Sequence, residues 1–194
     1  MKIALTTLWL LVPLAFAAWH FGPGQDQLKL DDAQSLIAKA DNALKEEDYA
    51  SAIKNWEEAM SKLPKEEVTL GRRLELEIAK AKMLNSKLPE ARDELVELML
   101  VLDTDPDADP GLRDETRAAL ANARYYMTYL MKLEGLPDAM WEPEIEAARQ
   151  EYKLLAENAS DRSLAKTSAD DLEAVIRLAR MDPAELYGLP IPNQ

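Results

Sequence analysis

The feature that most constrains the fold is a pair of closely spaced amphipathic segments between Ala33 and Leu63. The first segment ends near Glu46, and the second begins near Tyr49 after a corner of two residues. Apolar residues of the second segment recur at intervals of three and four, the spacing of one buried helical face. They are Tyr49, Ala52, Ile53, Trp56, Ala59, Met60 and Leu63. The stretch therefore predicts a helical hairpin in which small residues allow close packing and large residues fill the space between helices.

The spacing of small and aromatic residues in this hairpin resembles the tetratricopeptide repeat, a helix-turn-helix unit of about 34 residues. Counted from Ala33, the matching positions are Ala40, Tyr49, Ala52, Trp56, Ala59 and Pro64. Two positions depart from the pattern, because Leu36 replaces the usual Trp and Ala43 replaces the usual Tyr. The resemblance implies a right-handed solenoid of hairpins that holds another protein in its groove and catalyses no reaction.

Composition favours an all-α protein, since Ala, Leu, Glu and Lys dominate a chain with few glycines and phenylalanines. The net charge of −13 argues against nucleic-acid binding and favours a basic or apolar protein partner. Acidic helix faces also promote solubility, so the charge alone does not establish a binding site. The chain has no cysteine, which excludes disulfides, thiol catalysis and cysteine metal sites.

The N-terminus predicts export or membrane attachment. Lys2 is followed by residues 3–21, which contain no Asp, Glu, Lys or Arg and would extend about 28 Å as a helix. The segment is either an uncleaved membrane anchor or a signal peptide, for which Ala15-Phe16-Ala17 provides a cleavage pattern. In both cases Lys2 stays on the inner side, so the helical domain is expected on the extracytoplasmic, periplasmic-type side.

The rest of the chain predicts two divergent hairpins and a capping helix. Residues 1–21 are assigned to the anchor or signal, 22–32 to a linker, 33–181 to the helical domain, and 182–194 to an extended tail. Asp31 and Asp32 are expected to cap the first helix. Later helices are predicted at 68–85, 88–102, 112–134, 141–158 and from Ser168 onward. The last helix is expected to cover the open end of the array.

Aspartates at every second position form a candidate calcium loop between two predicted helices. The candidate ligands are Asp103, Asp105, Asp107, Asp109 and Asp114. Their spacing is similar to the oxygen-rich loop of an EF-hand, but Ala108 occupies the place of the invariant glycine. The alternative is an acidic, proline-stiffened linker whose carboxylates stabilise the N-terminus of the next helix.

Catalytic residues are scarce, and no cofactor is predicted. His20 is the only histidine, so a catalytic triad or a histidine metal site cannot form within one chain. The six glycines are scattered and form no phosphate-binding loop.

Residues predicted to contact a partner come from positions that line the inner surface of such repeats and from an aromatic cluster. They are Ile37, Asp41, Leu44, Arg73, Leu76, Lys80, Met83, Tyr125 and Tyr129. This mixture of apolar and charged residues suits an extended or helical peptide. We expect a non-catalytic, membrane-anchored or exported scaffold that helps to assemble an envelope complex. The alternative function is a calcium-responsive exported helical domain that uses the loop from Asp103 to Asp114.

Overall fold

The computed structural model describes the backbone of residues 23–186 and the side chains of residues 27–182, 185 and 186. Every regular element in this range is an α-helix, which confirms the prediction of an all-α fold for this part of the chain. The helices are α1 (Pro23–Lys45), α2 (Tyr49–Lys62), α3 (Val68–Leu84), α4 (Leu88–Thr104), α5 (Pro110–Leu133), α6 (Asp138–Asn158), α7 (Arg162–Arg180) and α8 (Pro183–Leu186).

The apolar segment at residues 3–21 and the tail beyond Leu186 lie outside the described residues. Among the helices between residues 23 and 186, none combines the length and the apolar character needed to cross a bilayer.

Helix α1 begins at Pro23 rather than at the predicted Ala33, so residues 23–32 are helical and not a linker. Proline is accepted in the first turn of a helix because the amide hydrogen it lacks would have no intrahelical partner there. Asp31 and Asp32 consequently lie on the exposed side of α1 instead of capping it.

Helix α7 also begins earlier than predicted, at Arg162. The carboxylate of Asp161 caps it by accepting a hydrogen bond from the backbone N–H of Ser163 at 2.8 Å. Ser168, the predicted start, is buried within the helix. The predicted start was therefore too late, because the capping residue, Asp161, lies at the beginning of the polar segment that precedes Ser168.

The hairpins α1/α2, α3/α4 and α5/α6 share one turn geometry. Each contains a residue with positive φ: 58° at Glu47, 58° at Ser86 and 73° at Gly135. The following backbone N–H donates to the carbonyl oxygen five residues earlier, at 2.9 Å in all three turns. The donor and acceptor pairs are Asp48 and Ala43, Lys87 and Lys82, and Leu136 and Met131. This bond is typical of the Schellman motif, which ends a helix and redirects the chain.

The described part of the chain divides into two compact units between Gly71 and Arg72, a boundary that lies inside α3. In the first unit α1 packs against α2, as the sequence predicted. The alanines of the interface are fully buried: Ala33, Ala40, Ala52 and Ala59. Trp56 is 1% exposed and fills the space between these close contacts. The start of α2 is stabilised by its N-cap, Asp48, whose side chain accepts a hydrogen bond from the Ser51 backbone N–H at 3.1 Å.

The second unit has two apolar cores that share α5. One core joins α3, α4 and α5 through residues such as Leu76, Leu95 and Leu120. The other joins α5, α6, α7 and α8 through residues such as Ala121, Tyr152 and Leu186. Opposite faces of α5 therefore hold the α3/α4 hairpin and the C-terminal helices together.

Candidate binding groove

A groove of about 350 Å³ lies between α3, α5 and α7 in the second unit. Its apolar lining consists of Met83, Leu84, Ala118, Ala119 and Leu164. Its polar lining includes Lys80, Glu115, Asn122, Tyr152, Ser168 and Asp171. The volume is at the lower end of the range of ~300–1,000 Å³ that is common for ligand pockets. A groove of this kind suits a few anchoring side chains of a peptide.

The wall formed by α3 and α5 carries a neutralised cluster of charges. Glu115 accepts hydrogen bonds from Lys80 Nζ at 2.5 Å and from the Arg73 guanidinium at 2.6 Å. Lys80 also pairs with Glu77 at 3.2 Å. Burial tends to raise the pKa of Glu115, but the two cations outweigh it and hold the pKa below its ordinary value. The two positive and two negative charges therefore balance one another.

The wall formed by α7 carries a carboxylate without a counter-ion. Asp171 is half-buried, and no described cationic side chain lies within 4.0 Å of it. Burial, followed by the neighbouring charge of Asp170, raises the pKa of Asp171 above its ordinary value. The groove therefore presents an acceptor on this side that no cation among the described residues neutralises.

Three tyrosines lie near enough to this carboxylate for its charge to affect their pKa values. Burial is the main reason that the pKa values of Tyr125, Tyr126 and Tyr152 are raised, and the charge of Asp171 raises each of them further. The rings of Tyr125 and Tyr126 meet edge to face, with centroids 5.5 Å apart. Tyr152 is 5% exposed and lines the groove. Asp171 thus shares the groove lining with the hydroxyl groups of Tyr152 and Ser168.

The residues predicted on α3 fall in different environments. Lys80 and Met83 line the groove. Arg73 does not line it, but its guanidinium donates a hydrogen bond to Glu115, which does. Leu76 is fully buried in the core between α3, α4 and α5, so it is not accessible to a partner.

The remaining predicted contact residues are also divided between surface and core. Tyr129 is 5% exposed and belongs to the core of α5 to α8, while Tyr125 is half-buried against both cores. In the first unit, Ile37 and Leu44 are half-buried and Asp41 is exposed.

Sequence reasoning missed the α5 and α7 walls of the groove. Glu115, Ala118 and Asn122 recur at intervals of three and four on α5, as Leu164, Ser168 and Asp171 do on α7. The second spacing was hidden because α7 was expected to begin only at Ser168. Periodicity measured from the Asp161 cap would have placed all three α7 residues on one helical face.

The aspartates of the candidate calcium loop have separate structural partners. These partners are Arg117 for Asp103, Arg72 for Asp105, the Leu112 backbone N–H for Asp109, and Ser160 for Asp114. The backbone N–H of Asp107 donates to Asp105 at 3.0 Å, which forms a local turn. Across residues 23–186, no group of three or more acidic or histidine side chains is arranged to hold a metal ion.

A second set of charged residues lies between α5 and α6. Arg117 and Glu151 pair at 2.7 Å, with side chains that are only 14% and 16% exposed. Arg124 lies 3.8 Å from Glu151 and 3.7 Å from Glu144. These ion pairs join the two helices of the third hairpin through partly buried charges.

Comparison of the chain with protein-family models, curated proteins and solved structures found no match in any of the three.

Proposed function

We propose that this chain is a non-catalytic scaffold of the tetratricopeptide type, anchored in or exported across a membrane, that binds a protein or peptide partner. The observation that carries the proposal is the groove lined by α3, α5 and α7, which combines an apolar surface with polar walls. Apolar side chains of a peptide would supply binding energy there, and the polar groups would fix its register.

The recurring hairpin geometry supports the assignment to this type of scaffold. In each of three helical pairs, the turn contains one residue with positive φ and is closed by the same type of backbone hydrogen bond. This residue is a glycine only in the third pair. The alanines and Trp56 on which the resemblance to the repeat rests are buried in the first hairpin, which supports the proposal.

The location in the envelope rests on residues 3–21 and on Lys2. Fractionation of cells that express the full chain, followed by alkaline extraction of the membranes, tests it. An anchored chain stays in the extracted membrane, and deletion of residues 3–21 releases it. A full-length chain that remains in the cytoplasmic fraction would contradict both export and anchoring.

Site-specific photo-crosslinking tests the groove as the binding site. We place a photoreactive amino acid at Asn122, which lines the groove, or at Lys153, which is exposed on α6 outside it. The chain is expressed in its native cells and irradiated. A partner that binds in the groove gives a crosslinked species with the Asn122 probe and not with the Lys153 probe.

The Ala118→Trp substitution provides the matching competition, because a large ring at this half-buried position would occupy the groove. It should abolish the crosslink from Asn122, and circular dichroism checks that the variant remains helical. Identical crosslinks from both probe positions, or a crosslink that survives in a folded Ala118→Trp variant, would show that partners bind elsewhere.

A further inference from the structure

We propose that the groove selects peptides with a basic side chain next to an apolar one, and that Asp171 is the residue that binds the basic group. This inference rests on the proposed function, since it specifies the chemistry of the partner for the same groove. It concerns one position of the partner, where a lysine or arginine would form the ion pair with Asp171 that no residue in the described part of the chain forms.

The balance of charges along the groove points to this position. On the wall of α3 and α5, Glu115 is already neutralised by Lys80 and Arg73 at 2.5 and 2.6 Å. On the wall of α7, Asp171 has no cation of the described chain within 4.0 Å, and the adjacent Asp170 adds a like charge. A cationic ligand is therefore attracted to the α7 wall, while the other wall offers no net charge.

Buried hydroxyl groups at the same place strengthen the argument. Tyr152 is 5% exposed and Ser168 is 1% exposed, and both line the groove. Hydroxyl oxygens that line a groove can accept hydrogen bonds from a ligand that carries donors. An ammonium or guanidinium group has several donors and could satisfy these oxygens together with the Asp171 carboxylate.

The apolar residues beside the carboxylate determine the rest of the ligand. Met83, Leu84 and Leu164 form a surface that an apolar side chain can cover. Methionine adapts its shape to different side chains, so this surface favours apolar character without requiring one particular residue. The expected partner segment therefore has a basic residue and an apolar residue close together, and the chain's net charge of −13 favours its approach.

Selection from a display library of random twelve-residue peptides tests the inference on the purified full-length chain. The variants are Asp171→Asn, which removes the charge, and Asp171→Lys, which reverses it. Glu173→Gln is the matched control, because Glu173 lies exposed on the same helix and outside the groove lining. Two groove variants, Ala118→Trp and Leu84→Gln, report whether a selected peptide uses the groove at all.

The wild type and Glu173→Gln should enrich peptides that pair lysine or arginine with an apolar residue. Asp171→Asn should lose the basic preference, and Asp171→Lys should favour acidic peptides instead. For one selected peptide, fluorescence anisotropy should give about tenfold weaker binding to Asp171→Asn, or about 1.4 kcal/mol. The same peptide with its basic residue changed to norleucine should bind wild type and Asp171→Asn equally.

The outcomes separate the two proposals. If selected peptides depend on Ala118 and Leu84 but keep their basic residues with the folded Asp171→Asn variant, the cation subsite is wrong and the groove stands. If no peptide is enriched, or if Ala118→Trp and Leu84→Gln leave binding unchanged, the groove itself is not a peptide site and both proposals fail. Circular dichroism of each variant establishes that it is folded before selection.

Discussion

The first and third hairpins of this chain turn in the same way but are held together differently. In α1/α2 the buried residues are apolar and include fully buried alanines and Trp56. In α5/α6 the apolar contacts of Tyr152 and Ile145 are accompanied by ion pairs that centre on Arg117 and Glu151. The shared turn depends on local backbone geometry, whereas among the described residues ion pairs join the helices of the third hairpin and apolar packing dominates the first.

This difference predicts that the stability of the first hairpin is more sensitive to the loss of buried side-chain volume, and that of the third hairpin to the loss of a charge. An apolar interface loses stability when a side chain is shortened, because the cavity that remains is only partly closed by relaxation. A partly buried ion pair loses stability when one partner is neutralised, because the other charge stays poorly solvated.

The largest effect is expected for Trp56→Ala in the first hairpin. Removal of this 1%-exposed ring should lower the free energy of unfolding of the α1/α2 hairpin by about 3–5 kcal/mol. Hydrogen exchange followed by mass spectrometry should show loss of protection in residues 33–63. The exposed Lys54 on the same helix supplies the control Lys54→Ala, which should leave protection unchanged. Wild-type protection in the Trp56→Ala variant would contradict the packing of the first hairpin.

A smaller loss is expected for Glu151→Gln in the third hairpin. This change leaves Arg117 and Arg124 without their shared carboxylate, and should destabilise the second unit by about 2 kcal/mol in a chemical denaturation experiment. Glu146→Gln removes an exposed partner of Arg149 on the same helix and should have a much weaker effect. Equal effects of the two substitutions would mean that partial burial of the α5/α6 ion pairs adds nothing to their strength.

The same contrast explains how much of the fold could be predicted from the sequence. The α1/α2 hairpin was predicted correctly because its buried residues are apolar and recur at helical spacing, with Trp56 as the clearest signal. In the third hairpin, Arg117, Arg124 and Glu151 have the sequence pattern of a solvated helix surface. Their pairing depends on how α5 and α6 face each other, and periodicity along a single helix does not contain that information.

The groove was only partly predictable for a related reason. Lys80 and Met83 were identified from their positions in the repeat pattern, and both line the groove. Asn122 and Asp171 were missed because a polar residue facing a groove resembles one facing solvent until the opposite wall is known. Tyr129 was selected as an accessible aromatic, yet the C-terminal helices pack over it.

A third prediction concerns pH and the ion-pair cluster on α3 and α5. The pKa of Glu115 lies below its ordinary value of 4.5, so the ionised form stabilises the fold. This stabilisation is complete above pH 4.5 and is lost as the pH falls through the lowered pKa. Glu115→Gln should therefore cost about 1 kcal/mol at pH 7, a modest value because the side chain is 39% exposed.

Denaturation of the wild type and Glu115→Gln at pH 7 and at pH 2.5 measures this contribution. The stability difference should be smaller at pH 2.5, where wild-type Glu115 is protonated to a greater extent than at pH 7. The difference should persist in Trp56→Ala, because the two substitutions lie in separate units. A stability difference that does not change with pH would assign the effect of Glu115 to packing rather than to charge.

The smallest effect is expected from calcium. Asp103 already pairs with Arg117, and Asp105 pairs with Arg72 at 2.6 Å, so a cation would have to displace arginines that hold the second unit together. Asp109 caps α5 through the backbone N–H of Leu112, which is a further contact that coordination would break. Millimolar calcium should therefore leave the melting temperature unchanged relative to magnesium. A rise in melting temperature with calcium alone, abolished by Asp107→Asn, would instead mean that the loop rearranges around the ion, and that these ion pairs stabilise only the calcium-free form.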